Sequence, residues 1–232
     1  YFYSGHVAGA VFSKTHFPRR CIVIGPNHTG LGRPLSITSH GRWETPLGQI
    51  SLDSDLACAL KEAFSPLTED LEAHHAEHAI EVELPFLQFL QPQITFVPLT
   101  LGTRQFELLL ALGQALAAVI ATQSDPILMV ASSDMNHYET DQITRMKDAR
   151  AIAQILAMDA RGLFEVVTTE HISMCGLGPV VVMMAAAKQL GASSIELVKY
   201  ATSADISNDR EMVVGYAGAV ALANRPSSSS LS

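Results

Sequence analysis

Residues 21–28 read Cys21-Ile22-Val23-Ile24-Gly25-Pro26-Asn27-His28. A short β-branched apolar run stopped by glycine predicts a buried strand over 21–25. The Pro-Asn-His-Thr-Gly stretch that follows predicts a loop at its carboxyl end. The same device returns at 127–134, where Ile127 to Ala131 predicts a second buried strand and Ser132-Ser133-Asp134 leaves it. Further strands are expected at 34–38, 49–52, 94–99, 195–200 and 212–222, with Trp43 anchoring a turn-rich segment over 43–48. Helical patterns fill the gaps between them. Asp53 caps a helix running to Phe64, and Ala79 to Leu90 has helical spacing with Pro85 as an internal flaw. Residues 105–121, 141–158, 159–167 and 177–190 predict four more helices, the last closed by Gly191. Residues 65–78 read as irregular. Strands alternating with helices of this length predict an α/β fold, a single domain whose largely parallel central sheet is flanked by helices. Ligands of such sheets bind where the strands end, so the polar clusters there become the candidates for chemistry.

Composition narrows the function. The chain has 232 residues, 48% of them hydrophobic and 16% charged. That excludes an intrinsically disordered chain, which lacks apolar residues to bury. A formal net charge of −8 argues against direct binding to nucleic acid, which needs a basic footprint. The longest apolar stretch, 108–121, is broken by Gln114 and too short to cross a membrane. Three cysteines do not suggest a disulfide framework, and without a signal-peptide pattern a reducing, cytoplasmic setting is expected. Cys21 and Cys58 read as core thiols, and Met183 and Met184 as core filling. The chain opens on Tyr1 rather than Met, which suggests an interior piece of a longer protein. The Pro/Ser-rich stretch at 224–232 reads as a disordered tail beyond a domain of residues 1–223.

Four clusters could carry chemistry. His28 stands in a loop stiffened by Pro26 and Gly30; the plain alternative is a turn with a surface histidine. In Ser132-Ser133-Asp134-Met135-Asn136-His137-Tyr138, Asp134 and His137 are three apart. One tight loop could aim both at one point, as metal ligands or as an oriented acid/base pair. Alternatively, Asp134 or Ser133 is only a helix cap. In His74-His75-Ala76-Glu77-His78-Ala79-Ile80-Glu81, the pairs His74/His78 and Glu77/Glu81 have the spacing of a shared helix face. His74 and His75 read as a solvated helix start, while Glu77, His78 and Glu81 are candidate site walls. Cys175 lies just before the 177–190 helix, where a thiol gains thiolate character from the helix N-terminus. It reads as a metal ligand or nucleophile, against the plainer reading of a structural cysteine. Gly176 and Gly178 beside it suggest a cramped backbone.

In order along the chain stand Y-x-Y-S-G at the start, G-P-N-H at 25–28 and T-P-L-G at 45–48. E-H-A-I-E-V-E-L-P-F-L at 77–87, S-S-D-M-N-H-Y at 132–138 and C-G at 175–176 follow. Together they resemble the Memo family, also called AmmeMemoRadiSam system protein B, over about residues 1–223. That family is similar in fold to class III extradiol dioxygenases, which use non-haem iron. The resemblance implies a metal site of two histidines and a cysteine. His28 matches one histidine and Cys175 the cysteine; the other histidine would fall ahead of Tyr1. It implies catalytic roles for His137, as acid/base, and Asp134. Asn27, Glu77, His78 and Tyr138 are expected to line the substrate pocket. The implied cofactor is iron or copper, with zinc also compatible, because a thiolate replaces the dioxygenases' carboxylate and is a softer ligand. Three functions follow as expectations: a redox-metal oxidase or dioxygenase acting on a small or aromatic substrate, a non-catalytic peptide- or protein-binding module, and a zinc hydrolase. Association with a radical-SAM protein and an AMMECR1-like protein is implied by the family name alone.

Overall fold

A computed structural model describes residues 1–223, and the tail predicted at 224–232 lies outside them. Helix α1 (Gly5–Phe12), which no sequence pattern predicted, leads to the sheet through β1 (Arg20–Pro26). Three short strands follow: β2 (Leu35–Ile37), β3 (Arg42–Thr45) and β4 (Gly48–Leu52). The turn-rich segment around Trp43 is thus partly strand, a β3–β4 hairpin held in place by Trp43 set edge-on against Phe96. Helix α2 (Ser54–Ala63) starts at the expected Asp53, whose carboxylate accepts the Leu56 amide. β5 (Thr68–Glu69) and a 3-10 turn at Glu72–His74 interrupt the irregular stretch.

The helix expected over 79–90 is shorter. A 3-10 turn at Glu81–Glu83 leads into α3 (Leu84–Leu90), and Pro85 occupies the first turn rather than the interior. There its missing N–H costs nothing and its fixed φ favours the start, so it is no flaw. β6 (Thr95–Leu101), α4 (Phe106–Ala121), β7 (Ile127–Ala131) and β8 (His137–Glu139) come next. Helices α5 (Asp141–Leu156), α6 (Ala160–Thr169) and α7 (Leu177–Gln189) precede β9 (Ala192–Thr202), α8 (Ala204–Ser207) and β10 (Val213–Ala223).

The central sheet runs β3-β4-β6-β1-β7, with β4, β6, β1 and β7 parallel; β2 and β5 extend it beside the end of β6. Its two faces are read off β1. Ile22 and Ile24 enter a core closed by α2, α4 and α7, while Cys21 and Val23 enter a second core with Phe12, Leu84 and Leu87. Burial on both faces explains why this strand is an unbroken apolar run. The last two strands lie outside the parallel sheet and pair antiparallel in the order β8-β10-β9. One expectation needs correction: β7 is half-buried throughout rather than buried, because among the described strands it is the sheet's edge and pairs only with β1. Among the described residues no helix is long and apolar enough to cross a membrane.

Candidate metal centre

β1 and β7 are adjacent parallel strands, so the loops leaving them start side by side. The β7 loop carries Asp134 and His137 and is clamped from beyond the sheet. The Met135 amide donates to the Gly215 carbonyl and the Gly215 amide to the Asn136 carbonyl, both at 2.9 Å. The loop does not cap a helix, so that alternative falls for Asp134 and Ser133. Instead the Ser133 hydroxyl accepts the Gly176 amide at 3.0 Å, tying the loop to the segment before α7. A Cβ on Gly176 would lie 2.4 Å from the Ser132 carbonyl oxygen, so the cramped backbone is confirmed there. It is not confirmed at Gly178, where the nearest atom would be 3.4 Å away.

This close approach delivers Cys175. Its Sγ accepts the Asp134 amide at 3.1 Å. Donor atoms of Asp134, His137 and Cys175 all lie within 4.8 Å of one another. The thiol differs from expectation: burial, with the Asp134 carboxylate adding to it, pushes it up to about 11 rather than down. Desolvation prevails over the hydrogen bonds that favour the thiolate, and Cys175 precedes the Gly176 cap instead of facing the free amides.

His137 is held from behind. Its Nδ1 lies 2.7 Å from the Ser173 carbonyl, which can only accept, so Nδ1 carries the proton and Nε2 faces Asp134 Oδ2 at 3.7 Å. The Asp134 carboxylate, aided by the Ser173 carbonyl and opposed by burial, raises the His137 pKa. Ser173 itself is fixed by Asn136, whose side-chain oxygen accepts both its amide and its hydroxyl at 3.1 Å. Fully buried Asp148 accepts the Asn136 amide at 2.9 Å. Tyr138, the next residue after His137, is forced to φ +61° and leaves its ring exposed at the rim.

His28 belongs to a second group with Glu77 and His78. Its Nδ1 lies 2.9 Å from Glu77 Oε1 and its amide donates to Oε2 at 2.5 Å, so again Nε2 is left free. Burial would raise Glu77, but these bonds and that of the Ala79 amide prevail and lower it. His78 stacks on His28 at 4.7 Å. The helix face predicted for His74/His78 and Glu77/Glu81 does not form. The backbone turns at Ala76, φ +59°, and His74 swings inward to meet the Thr100 hydroxyl at 2.9 Å. Asn27 spends its side chain on its own loop, bonding Leu31, Thr29 and Gly30. The two expected ligands, His28 and Cys175, thus stand in separate three-donor groups. The positioning roles of Ser173, Asn136 and Asp148 were not read from the sequence; the places of Asn136 beside His137 and of Ser173 near Cys175 were the only signals.

A family model described as Memo-like protein matches residues 1–220. The chain belongs to the Memo family. A MEMO1 family protein of Pyrobaculum aerophilum is 40% identical over 220 residues, covering 94% of this chain and 78% of that protein. One from Methanopyrus kandleri is 39% identical over 224 residues, 95% of this chain and 79% of the relative. Among solved structures, an uncharacterized protein of Escherichia coli K12, JW3007, aligns with a TM-score of 0.57 over 90% of each chain. At 16% identity that likeness shows that the Memo-family chain shares its fold and nothing more.

Proposed function

We propose that this Memo-family chain holds a redox-active non-haem metal, iron or copper, at the strand ends and performs oxidase- or dioxygenase-type chemistry on a small or aromatic substrate. The observation that carries the reading is the meeting of carboxylate, imidazole and thiol donors from Asp134, His137 and Cys175 within 4.8 Å. Two donors bonded to one ion at about 2.0–2.3 Å lie at most about 4.6 Å apart, so the set needs little rearrangement to close. The mixed N, O and S chemistry suits a first-row transition metal. Bound iron or copper would supply one-electron chemistry that no side chain here provides.

The remaining work falls to the chain's own groups. Ser173 fixes the His137 tautomer, so Nε2 is the atom that takes a proton from substrate or stands as a ligand. Where Nε2 takes the proton rather than the metal, Asp134 stabilises the imidazolium that results. Glu77 orients His28 in the same way from the neighbouring strand end, the carboxylate–histidine pairing common behind metal ligands.

Elemental mass spectrometry on protein purified anaerobically, beside its Cys175→Ala variant, tests the reading. Near-stoichiometric iron or copper, lost in the variant, is expected. Metal absent from both proteins would overturn it and leave the strand-end site to peptide or partner recognition. Zinc alone would instead favour hydrolysis.

A further inference from the structure

β1 and β6 run parallel and in register to their last residues, Pro26 beside Leu101, so the loops that leave them begin together. The Asn27 amide donates to the Leu101 carbonyl at 3.0 Å and the Gly102 amide to the Pro34 carbonyl at 2.8 Å. These bonds lace residues 27–34 and 102–105 into one rim. The rim touches the carriers of both donor groups. A Cβ on Gly102 would lie 3.4 Å from the Cβ of Asn27, the residue before His28. Gly178 follows Cys175 closely, and a Cβ on it would lie 3.6 Å from the Thr103 carbonyl oxygen. Two arginines stand on this rim, Arg33 and Arg104, both exposed. Among the described residues neither guanidinium has a hydrogen-bond or ion-pair partner. By contrast, Arg20, Arg145, Arg150, Arg161 and Arg210 each stand on a carboxylate. Asp70, the carboxylate that meets the backbone of Arg33, is already committed to amides: it accepts those of Arg33 at 2.5 Å and Glu72 at 2.8 Å. Gly32, at φ +73°, comes so near Ala73 that a Cβ would lie 2.6 Å from its amide nitrogen, which fixes the place from which Arg33 starts.

We infer that Arg33 and Arg104 select a substrate that carries an anionic group, a carboxylate or a phosphate, and hold it by that group at the rim of the strand-end site. The inference rests on the small or aromatic substrate of the proposed function and adds its charge. A guanidinium is the side chain whose planar fork matches two oxygens of either anion. The chain as a whole carries a net charge of −8 and repels anions, so only a local pair of unspent cations could draw one in. Their place is the edge where parallel sheets bind ligands. An anion anchored there leaves the opposite end of the substrate to face the donors, which fixes the atom presented for reaction. Arg19, also exposed and without a partner, precedes β1 at the opposite end of the sheet. It has the same charge at the wrong edge, and so separates recognition at the rim from a general effect of net charge.

Titrating chelator-treated protein with benzoate, phenyl phosphate and neutral benzamide tests this, read by backbone amide NMR shifts at low salt. No metal is needed, so failure here is distinct from failure of the metal reading, which elemental analysis reports. At least one of the two anions should bind about tenfold or more tightly than benzamide and move the amides of Arg33, Gly102 and Arg104. The tighter of the two identifies the group as carboxylate or phosphate. Arg33→Ala and Arg104→Ala should each weaken that anion about fivefold or more, and the Lys variants less, because they keep the charge but lose the fork. Arg19→Ala should change nothing. All three arginines are exposed, so the variants keep the fold. Equal affinity for benzamide overturns the inference, as does the absence of binding by both anions. An equal loss in Arg19→Ala overturns it too, because net charge alone is then being read. Formate or inorganic phosphate binding as tightly as the aromatic anions would mean an adventitious ion only, and would overturn it as well.

Discussion

Asp148 is fully buried behind the loop that carries Asp134 and His137, accepting the Asn136 amide at 2.9 Å and the Tyr200 hydroxyl at 2.7 Å. Burial outweighs these bonds and raises its pKa from 3.8 to about 6. The folded protein therefore holds a proton more tightly than the unfolded chain. The stability this confers is fully present below about pH 4 and is lost as pH rises through about 6. The loss amounts to about 3 kcal/mol. Asp148→Asn keeps an acceptor and a donor in place, so urea unfolding at pH 4 and pH 7.5 should show this component of the difference disappear. Nearby, a Cβ on Gly176 would run into the Ser132 carbonyl. Gly176→Ala should cost about 1–3 kcal/mol in thermal unfolding and lower metal content, because the added methyl pushes Cys175 away from Asp134. The residue types Asp134, His137 and Cys175 were legible in the sequence. So was the pairing of Asp134 with His137, three residues apart; the approach of Cys175 was not written in any local pattern, because it lies 41 residues from Asp134 and meets it through the packing of Gly176.

Helix α2 shows how far local signals reach at the scale of an element. Asp53 caps it at 3.1 Å and also receives both Arg20 contacts, at 2.6 and 3.1 Å, from the start of β1. The cap was visible in sequence; the ion pair that ties it to the sheet was not. Asp53→Ala should cost about 2–3 kcal/mol, more than a cap alone, because Arg20 loses its partner in a half-buried position. Asp53→Asn, which keeps the cap, should recover about 1 kcal/mol of that in the same melt. Helices α4, α6 and α7 formed within a few residues of their sequence patterns. α3 did not, because the apolar spacing over 79–90 looked the same whether Pro85 broke a helix or began one. β7 shows the converse limit: an apolar run resembles a central strand whether or not a neighbour covers its second edge.

At the scale of the whole molecule, β6 is the strand on which most of the sheet depends. It pairs with β1 along its whole length, with β4 at its start and with β2 at its end. Leu99, fully buried on it, faces the larger core. Leu99→Ala should cost about 2–5 kcal/mol and lower the melting temperature by roughly 5–15 °C, read by circular dichroism. The sequence alone determined the α/β class, the order of most elements, the strand-end positions of His28 and Asp134 and, through its ordered motifs, the Memo family. These follow from local periodicity and turn chemistry, which neighbouring residues encode. Only the tertiary structure decided that β9 and β10 form a separate antiparallel sheet and that, among the described strands, β7 pairs with β1 alone. It alone grouped Cys175 with Asp134 and His137 while setting His28 against Glu77. Each of these depends on which distant segments pack together, which a local pattern does not record.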